Sequence, residues 1–237
     1  MRIPLTPHGL PEILLFTALL GFAGVAGVSW IPAPAGPVVA LLAGATWLFI
    51  MNFFRDPNRQ PEAVGPGVVL APADGKVTDI IDVEEVPFIG GPAKRIGIFL
   101  SVFDVHVNRS PVAGTVAHTE HRPGAFLDAR DPACADLNEA QDLGLLVADG
   151  EGGTFPVLVR QIAGLVARRI VCAAKEGRVL DAGERYGMIK VGSRTEVYIP
   201  GGHVASIDVA VGQHVIGGRD LIARMRVCSR EPEGVAQ

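Results

Sequence analysis

Met188-Ile189-Lys190-Val191-Gly192-Ser193-Arg194-Thr195-Glu196-Val197-Tyr198-Ile199-Pro200 sets a Gly-Ser pair between two runs rich in apolar and β-branched residues. Residues 188–191 and 195–199 each read as a short strand, so Gly192 and Ser193 fall where two strands join or kink. Glycine adopts backbone angles that other residues resist, and the serine behind it can turn its hydroxyl back onto the preceding carbonyl. A plain hairpin turn is the competing reading, because Gly-Ser is a common turn signal.

Upstream of this stretch the pattern is the same. Residues 68–71, 77–83, 95–100, 115–117, 155–162 and 165–172 are short strand-like runs bounded by Gly, Pro, Asp and Asn. The expected fold class is therefore mainly β, a β-rich domain over residues 68–237. Its one long interruption, 123–153, is expected to be loop, with a helical turn or two within 128–142 around Ala135, Leu137 and Leu143. Downstream, residues 204–227 carry glycine turns at Gly212 and Gly217-Gly218, a spacing like the barrel-sandwich hairpins of lipoyl-type domains. No lysine follows Lys190, which excludes a lipoyl or biotinyl attachment site there.

Composition bounds the rest. A chain of 237 residues holds one large domain, or a domain with an appendage. Its net charge of -4 argues against a nucleic-acid partner. Cys134, Cys172 and Cys228 show no CxxC spacing, so neither a disulfide framework nor a zinc knuckle is indicated, and a reducing cytosolic face is expected. Hydrophobic residues make up 49% of the chain and aromatics only 6%, so the excess is aliphatic. It is concentrated at the start. Residues 13–31 and 38–54 carry no charge and are each close to the roughly 20 residues that span hydrocarbon. The short Pro32-Ala33-Pro34-Ala35-Gly36-Pro37 link predicts a helical hairpin over 1–54 with both ends on one side, followed by a linker over 55–67. Arg2, Arg55 and Arg59 flank an uncharged connection, which places both ends in the cytoplasm. A shallow re-entrant hairpin competes with a spanning one, since both segments are short and rich in Gly and Ala.

Candidates for chemistry are few. Asp74, in Pro72-Ala73-Asp74-Gly75, stands at a tight turn feeding a strand. His106 alternates with Asp104 and Asn108, which predicts one shared strand face. His118 and His121 flank Glu120, but three residues apart on a strand they face opposite ways, so no metal site is expected. His8, His203 and His214 are expected to be solvated. HExxH, P-loop and GxGxxG patterns are absent.

Taken together, several stretches resemble the phosphatidylserine decarboxylase family, in particular its short pyruvoyl-dependent branch of bacteria and archaea. They are Phe54-Arg55-Asp56-Pro57, Pro72-Ala73-Asp74-Gly75, the run from Phe103-Asp104-Val105-His106 to Pro111, Arg122-Pro123-Gly124, the run from Gln161-Ile162-Ala163-Gly164 through Arg168-Arg169 to Cys172, and Val191-Gly192-Ser193-Arg194. Three positions depart from the family pattern. Val191 stands where the short branch usually has Phe. Arg109 stands where long members carry a second histidine, which leaves the processing base open. Ala140 follows Asn138-Glu139 where the short branch tends to have Arg.

The resemblance implies a zymogen and lyase that cuts itself between residues 192 and 193. Ser193 Oγ would attack the Gly192 carbonyl with His106 as base and Asp74 orienting it, and Ser193 would become a covalent pyruvate (pyruvoyl) cofactor that forms a Schiff base with the substrate amine. It implies phosphatidylserine in the membrane as substrate and phosphatidylethanolamine and carbon dioxide as products, in phospholipid biosynthesis. The enzyme would sit at the cell inner membrane with its catalytic domain on the cytoplasmic side. Its two self-cleaved chains would stay together, with both flanking strands expected in one sheet, and a homo-oligomer is left open. Arg168 and Arg169 are candidates for the lipid phosphate, one of the two at most if they alternate on a strand. Two rivals stay open: a related lipid such as archaetidylserine as substrate, and a noncatalytic membrane-anchored lipoyl-like adaptor whose Gly-Ser is only a turn.

Overall fold

Proline and glycine punctuate the apolar start of the chain into two helices. In the computed structural model, which describes residues 4–131, 134–165, 169–190 and 192–227, the chain separates into the units Met1–Asn58 and Arg59–Gln237. In the first unit a short 3-10 turn, Pro7–Gly9, leads into α1 (Leu10–Trp30), and the prolines of the link separate it from α2 (Ala35–Phe53). Each helix is long and apolar enough to cross a membrane. Both are apolar all round and leave Leu14, Phe22, Val25, Leu41 and Leu42 more than 60% exposed, so much of their apolar surface has no partner within the unit. They pack closely where small residues allow it, with Gly27 against Gly36, and Trp47 Nε1 donates across to Thr17 Oγ1 at 2.9 Å. The expectation that both ends emerge together holds: Thr6 N–H donates to Phe54 O at 2.9 Å and Asp56 N–H to Pro4 O at 2.7 Å.

The second unit is built from short antiparallel strands. In chain order they are β1 (Val68–Leu70), β2 (Gly75–Val86), β3 (Gly91–Leu100), β4 (Val107–Arg109) and β5 (Gly114–Arg122). A one-turn helix, α3 (Cys134–Leu137), precedes β6 (Ala140–Ala148), β7 (Thr154–Ile162), β8 (Ile170–Cys172), β9 (Val179–Leu180) and β10 (Arg185–Ile189). The last are β11 (Ser193–Pro200), β12 (Val204–Ile207), β13 (His214–Val215) and β14 (Leu221–Met225). One eight-stranded sheet runs β13-β2-β3-β11-β7-β6-β5-β9, and two three-stranded sheets run β1-β14-β12 and β4-β10-β8. The main core draws Val77, Ile96, Ile98, Leu143, Leu145, Val157, Val159, Val197 and Ile199 from the large sheet. It draws Val69, Ile222, Ala223, Tyr186 and Cys172 from the two small ones, so the small sheets cover one face of the large sheet. The mainly β class behind an apolar helical hairpin is as the sequence predicts.

Three local expectations are corrected. The stretch expected as loop within 123–153 contains β6, a strand in the interior of the large sheet paired with β5 and β7. Its buried Leu143, Leu145 and Val147 keep the period of two, but Ala, Gly and Leu hide the signal by lacking β-branching. Residues 115–117 extend into a nine-residue strand that carries His118 and His121. Finally, Asp104, His106 and Asn108 do not share a strand face. Strand β4 begins only at Val107, and Asp104 sits in a turn whose N–H bonds Ser101 O at 3.0 Å.

Candidate active site

Strand β11 is central in the large sheet and fully buried, so both its faces meet protein. It pairs with β3 from Ser193–Leu100 to Pro200–Ala93, and with β7 from Arg194–Ile162 to Tyr198–Leu158. Strand β10, just before the Gly-Ser pair, belongs instead to the small sheet with β4 and β8. Gly192-Ser193 is therefore where the chain passes from one sheet to another, which removes the hairpin-turn reading and also corrects the expectation of one shared sheet. Gly192 has φ +61°, in the left-handed region that favours glycine, as the sharp change of direction requires. Val191 lies outside the described residues.

Alternation along β11 divides its side chains between two jobs. Thr195 faces the covered side, where Asn108 Nδ2 donates to its Oγ1 at 3.1 Å, and Gln161 Nε2 donates to Asn108 Oδ1 at 2.8 Å. This chain of amides ties β4, β7 and β11 together directly behind the junction. Ser193 is two residues back on the same side, 0% exposed, and its Oγ finds no hydrogen-bond partner among the described residues. A buried, unsatisfied hydroxyl costs free energy, on the order of 1–3 kcal/mol, and so needs a reason.

The other side carries Arg194, Glu196 and Tyr198. Arg194 is 0% exposed and donates to Glu196 Oε1 at 2.7 Å, to Thr78 Oγ1 at 2.8 Å and to Asp79. Tyr198 Oη donates to Glu196 Oε2, and Arg95 donates to Asp79 at 3.1 Å and lies 3.6 Å from Glu196 as an ion pair. Burial of so many charges is costly, and the network is tolerable because each guanidinium faces a carboxylate. Its effect on the site is geometric: Arg194 locks the residue next to Ser193. Arg194→Met is expected to cost about 3–5 kcal/mol of unfolding free energy, since the buried Glu196 and the partly buried Asp79 lose a shared cation. Chemical denaturation in detergent checks it. The network is also acid-labile. Burial alone would raise the Asp79 pKa, yet Arg194, Thr78 and Arg95 hold it below its ordinary value. A carboxylate depressed in the fold adds stability above its unfolded pKa of about 3.9 and loses it as pH falls through the lower folded value. Wild type should therefore lose stability more steeply than Asp79→Asn as pH falls below about 4.

His106 is fully buried and is tied by its main chain to the end of β10, its carbonyl accepting from Ile189 N–H at 3.2 Å. Its Nδ1 lies 2.9 Å from Asp104 O. A carbonyl only accepts, so Nδ1 carries the proton and the lone pair of the neutral ring is on Nε2. The Asp104 carboxylate accepts from Ser101 N–H at 2.8 Å and bonds His214 Nε2 at 3.0 Å. Burial would raise its pKa, but these hydrogen bonds hold it below the ordinary value. Asp74 is 8% exposed, and its carboxylate forks onto Arg59 at 2.9 and 2.8 Å and accepts from Gly217 N–H at 2.8 Å. The sequence marks Arg59 only as a flanking positive charge and not as a partner of Asp74, because a partner fifteen residues away across a proline-rich linker leaves no local signal. Arg109 is buried, donating to Gly183 O at 3.2 Å and packing on Gly218. Of the two arginines proposed for phosphate, Arg169 is exposed just before β8, with its carbonyl accepting from Lys190 N–H at 3.2 Å. Arg168 lies outside the described residues.

The loop before β6 is tied to the residue that follows β7. Asn138 accepts from Leu127 N–H at 2.8 Å and donates to Leu127 O at 2.9 Å and Ala163 O at 2.8 Å. Ala140 is fully buried against Cys134, Ala135 and Ile162. Burial pushes the Cys134 thiol up to about 11, so this cysteine is an inert packing residue.

The comparisons with known proteins point one way. A family model described as phosphatidylserine decarboxylase matches residues 47–223. The chain is 44% identical to the phosphatidylserine decarboxylase proenzyme of Nitratidesulfovibrio vulgaris over 98% of its own length and 97% of the relative's. It is 47% identical to the proenzyme of that name from Symbiobacterium thermophilum, over 78% and 83% of the two chains. With the Gluconacetobacter diazotrophicus proenzyme, also of that name, it shares 43% identity over 92% and 94%.

Proposed function

This chain belongs to the phosphatidylserine decarboxylase family, a family of enzymes, and on that premise we propose that it converts phosphatidylserine to phosphatidylethanolamine and carbon dioxide with a pyruvoyl group made from its own Ser193. The observation that carries the self-cleavage is the fully buried, unsatisfied Ser193 Oγ beside a left-handed glycine, at a point where the chain changes sheets. In the proposed scission Ser193 Oγ bonds to the Gly192 carbonyl carbon while His106 Nε2 takes its proton. The Gly192–Ser193 amide breaks, its nitrogen is protonated, and the acyl group rests on Oγ as an ester. Elimination then removes the Ser193 Cα proton and releases Gly192 as a carboxylate, and the remaining dehydroalanine tautomerises to an imine whose nitrogen water replaces, leaving the ketone and ammonia. Once formed, such a group supplies an electron sink for the bond broken to carbon dioxide.

The chain's own residues do the rest. The Asp104 carbonyl fixes the tautomer of His106. Asp74, itself fixed by Arg59 and Gly217, is the proposed stabiliser of the ring when protonated. Arg168 or Arg169 is proposed to meet the lipid phosphate. Scission needs no rearrangement of the fold, since β10 stays between β4 and β8 and β11 between β3 and β7. The piece beginning at Ser193 also places β13 on β2 and β14 against β1, so it is held by several ladders. Intact-mass measurement of the purified protein should find two polypeptides, residues 1–192 and 193–237. A single mass would refute the scission.

A diacyl substrate is confined to the bilayer, and the apolar hairpin gives the catalytic unit the same address, which we read as the cytoplasmic face of the inner membrane. The full-length protein is expected to sediment with membranes and to require detergent for release. Recovery in the soluble fraction of a low-salt lysate would count decisively against it.

A further inference from the structure

Gly164 is buried against the main chain of the junction. A methyl group on its α-carbon would lie 1.7 Å from the Gly192 carbonyl oxygen and 2.9 Å from the Gly192 carbonyl carbon, with Ala129 Cβ at 3.2 Å. The first distance is little more than a covalent bond, so the oxygen rests on the bare α-carbon itself. Gly164 is not in the left-handed region, and what its position demands is space, not backbone freedom. The contact follows from the register of β7 on β11. Ile162 faces Arg194, so two residues further on Gly164 comes opposite Gly192.

The segment bearing Gly164 is itself fixed. Ala163 N–H donates to Glu139 O at 2.9 Å, and Ala163 O accepts from Asn138 Nδ2 at 2.8 Å. Asn138 in turn grips both main-chain groups of Leu127. Gly164 is thus a rigid surface pressed on the one carbonyl that Ser193 has to attack.

Resting on the scission reading, we propose that Gly164 is a positioning residue for self-cleavage, the seat that turns the Gly192 carbonyl so that its carbon faces Ser193 Oγ. A nucleophile has to approach a carbonyl carbon from a defined direction, at about 3–3.5 Å before reaction. Any side chain at position 164 displaces the oxygen by more than 1 Å or rotates the peptide plane. Misplacement on that scale costs about 100-fold in rate. The effect falls on the first step, in which the Oγ–C bond forms and the amide C–N bond breaks with its nitrogen taking up a proton. Elimination from the ester comes afterwards.

The test compares full-length wild type, Gly164→Ala and the double variant Gly164→Ala/Ala129→Gly, purified in detergent. Scission is followed by intact mass, and hydroxylamine, which cuts esters and spares amides, reports whether the acyl group has reached Oγ. Gly164→Ala is expected to melt cooperatively, to slow scission by about 100-fold or more, and to show no hydroxylamine-sensitive bond. The double variant should stay equally slow, because the carbonyl and not Ala129 is what the methyl meets. Scission of Gly164→Ala at the wild-type rate overturns the proposal. So does an accumulating ester, which would put the defect after the attack, or rescue by Ala129→Gly, which would make Gly164 a packing residue. If Gly164→Ala does not melt cooperatively, the double variant, with the methyl's volume returned, is read against the same rate and ester outcomes. A wild type that remains one polypeptide refutes the scission itself and is distinguishable from all of these.

Discussion

Ser193→Ala is expected to leave one polypeptide of 24.9 kDa with decarboxylation at background. The substitution removes a single oxygen from a fully buried residue whose hydroxyl has no hydrogen-bond partner among the described residues, so no bond of the fold is lost. Alanine keeps the β-carbon and the pairing with Leu100, and the melting temperature should be unchanged or slightly raised. The nearest hydroxyl along the strand cannot stand in, because Thr195 Oγ1 is held by Asn108 on the far side of one intervening residue. The loss is therefore of chemistry and not of structure. Two fragments from Ser193→Ala, separated at the same bond, would show that Ser193 is not the nucleophile.

His106→Ala carries the next largest effect. General-base loss costs about 100- to 10,000-fold in rate, which over an expression period leaves most of the protein as precursor. An imidazole can both take up and release a proton, and the Asp104 carbonyl holds this ring with its lone pair on Nε2. His106→Gln tests the same point without a cavity, since an amide can keep a hydrogen bond to the Asp104 carbonyl but cannot take up a proton. Accumulated precursor in both variants assigns His106 to scission. Full maturation with no turnover would confine it to decarboxylation, and the base for scission would then have to be sought among other groups.

Much of the fold was legible because its signals are local. Two uncharged apolar runs around a proline-rich link define a hairpin by length and hydropathy alone, and β2, β3, β7 and β11 announce themselves through β-branched residues between turn formers. Strand β6 was hidden because it is central and built from Ala, Gly and Leu, so its identity comes from the partners β5 and β7 and not from its own composition. The alternation of Arg194 and Glu196 within an apolar run was a readable sign of buried charge. Which carboxylates answer it, Asp79 above all, was not, because that partner is 115 residues away.

The bond proposed to react is a property of the sequence. A glycine, which takes φ +61° without strain, precedes a serine, and no packing can supply a missing hydroxyl. The surroundings on which the proposed scission rests were decided by tertiary structure. Passage between two sheets separates β10 from β11, the register of β7 brings Gly164 under the Gly192 carbonyl, and the turn before β4 delivers His106 with its proton committed to Asp104. Local sequence encodes backbone angles and side-chain chemistry, whereas orientation at the ångström scale comes from contacts between residues far apart in the chain, whose pairing only the folded sheets establish.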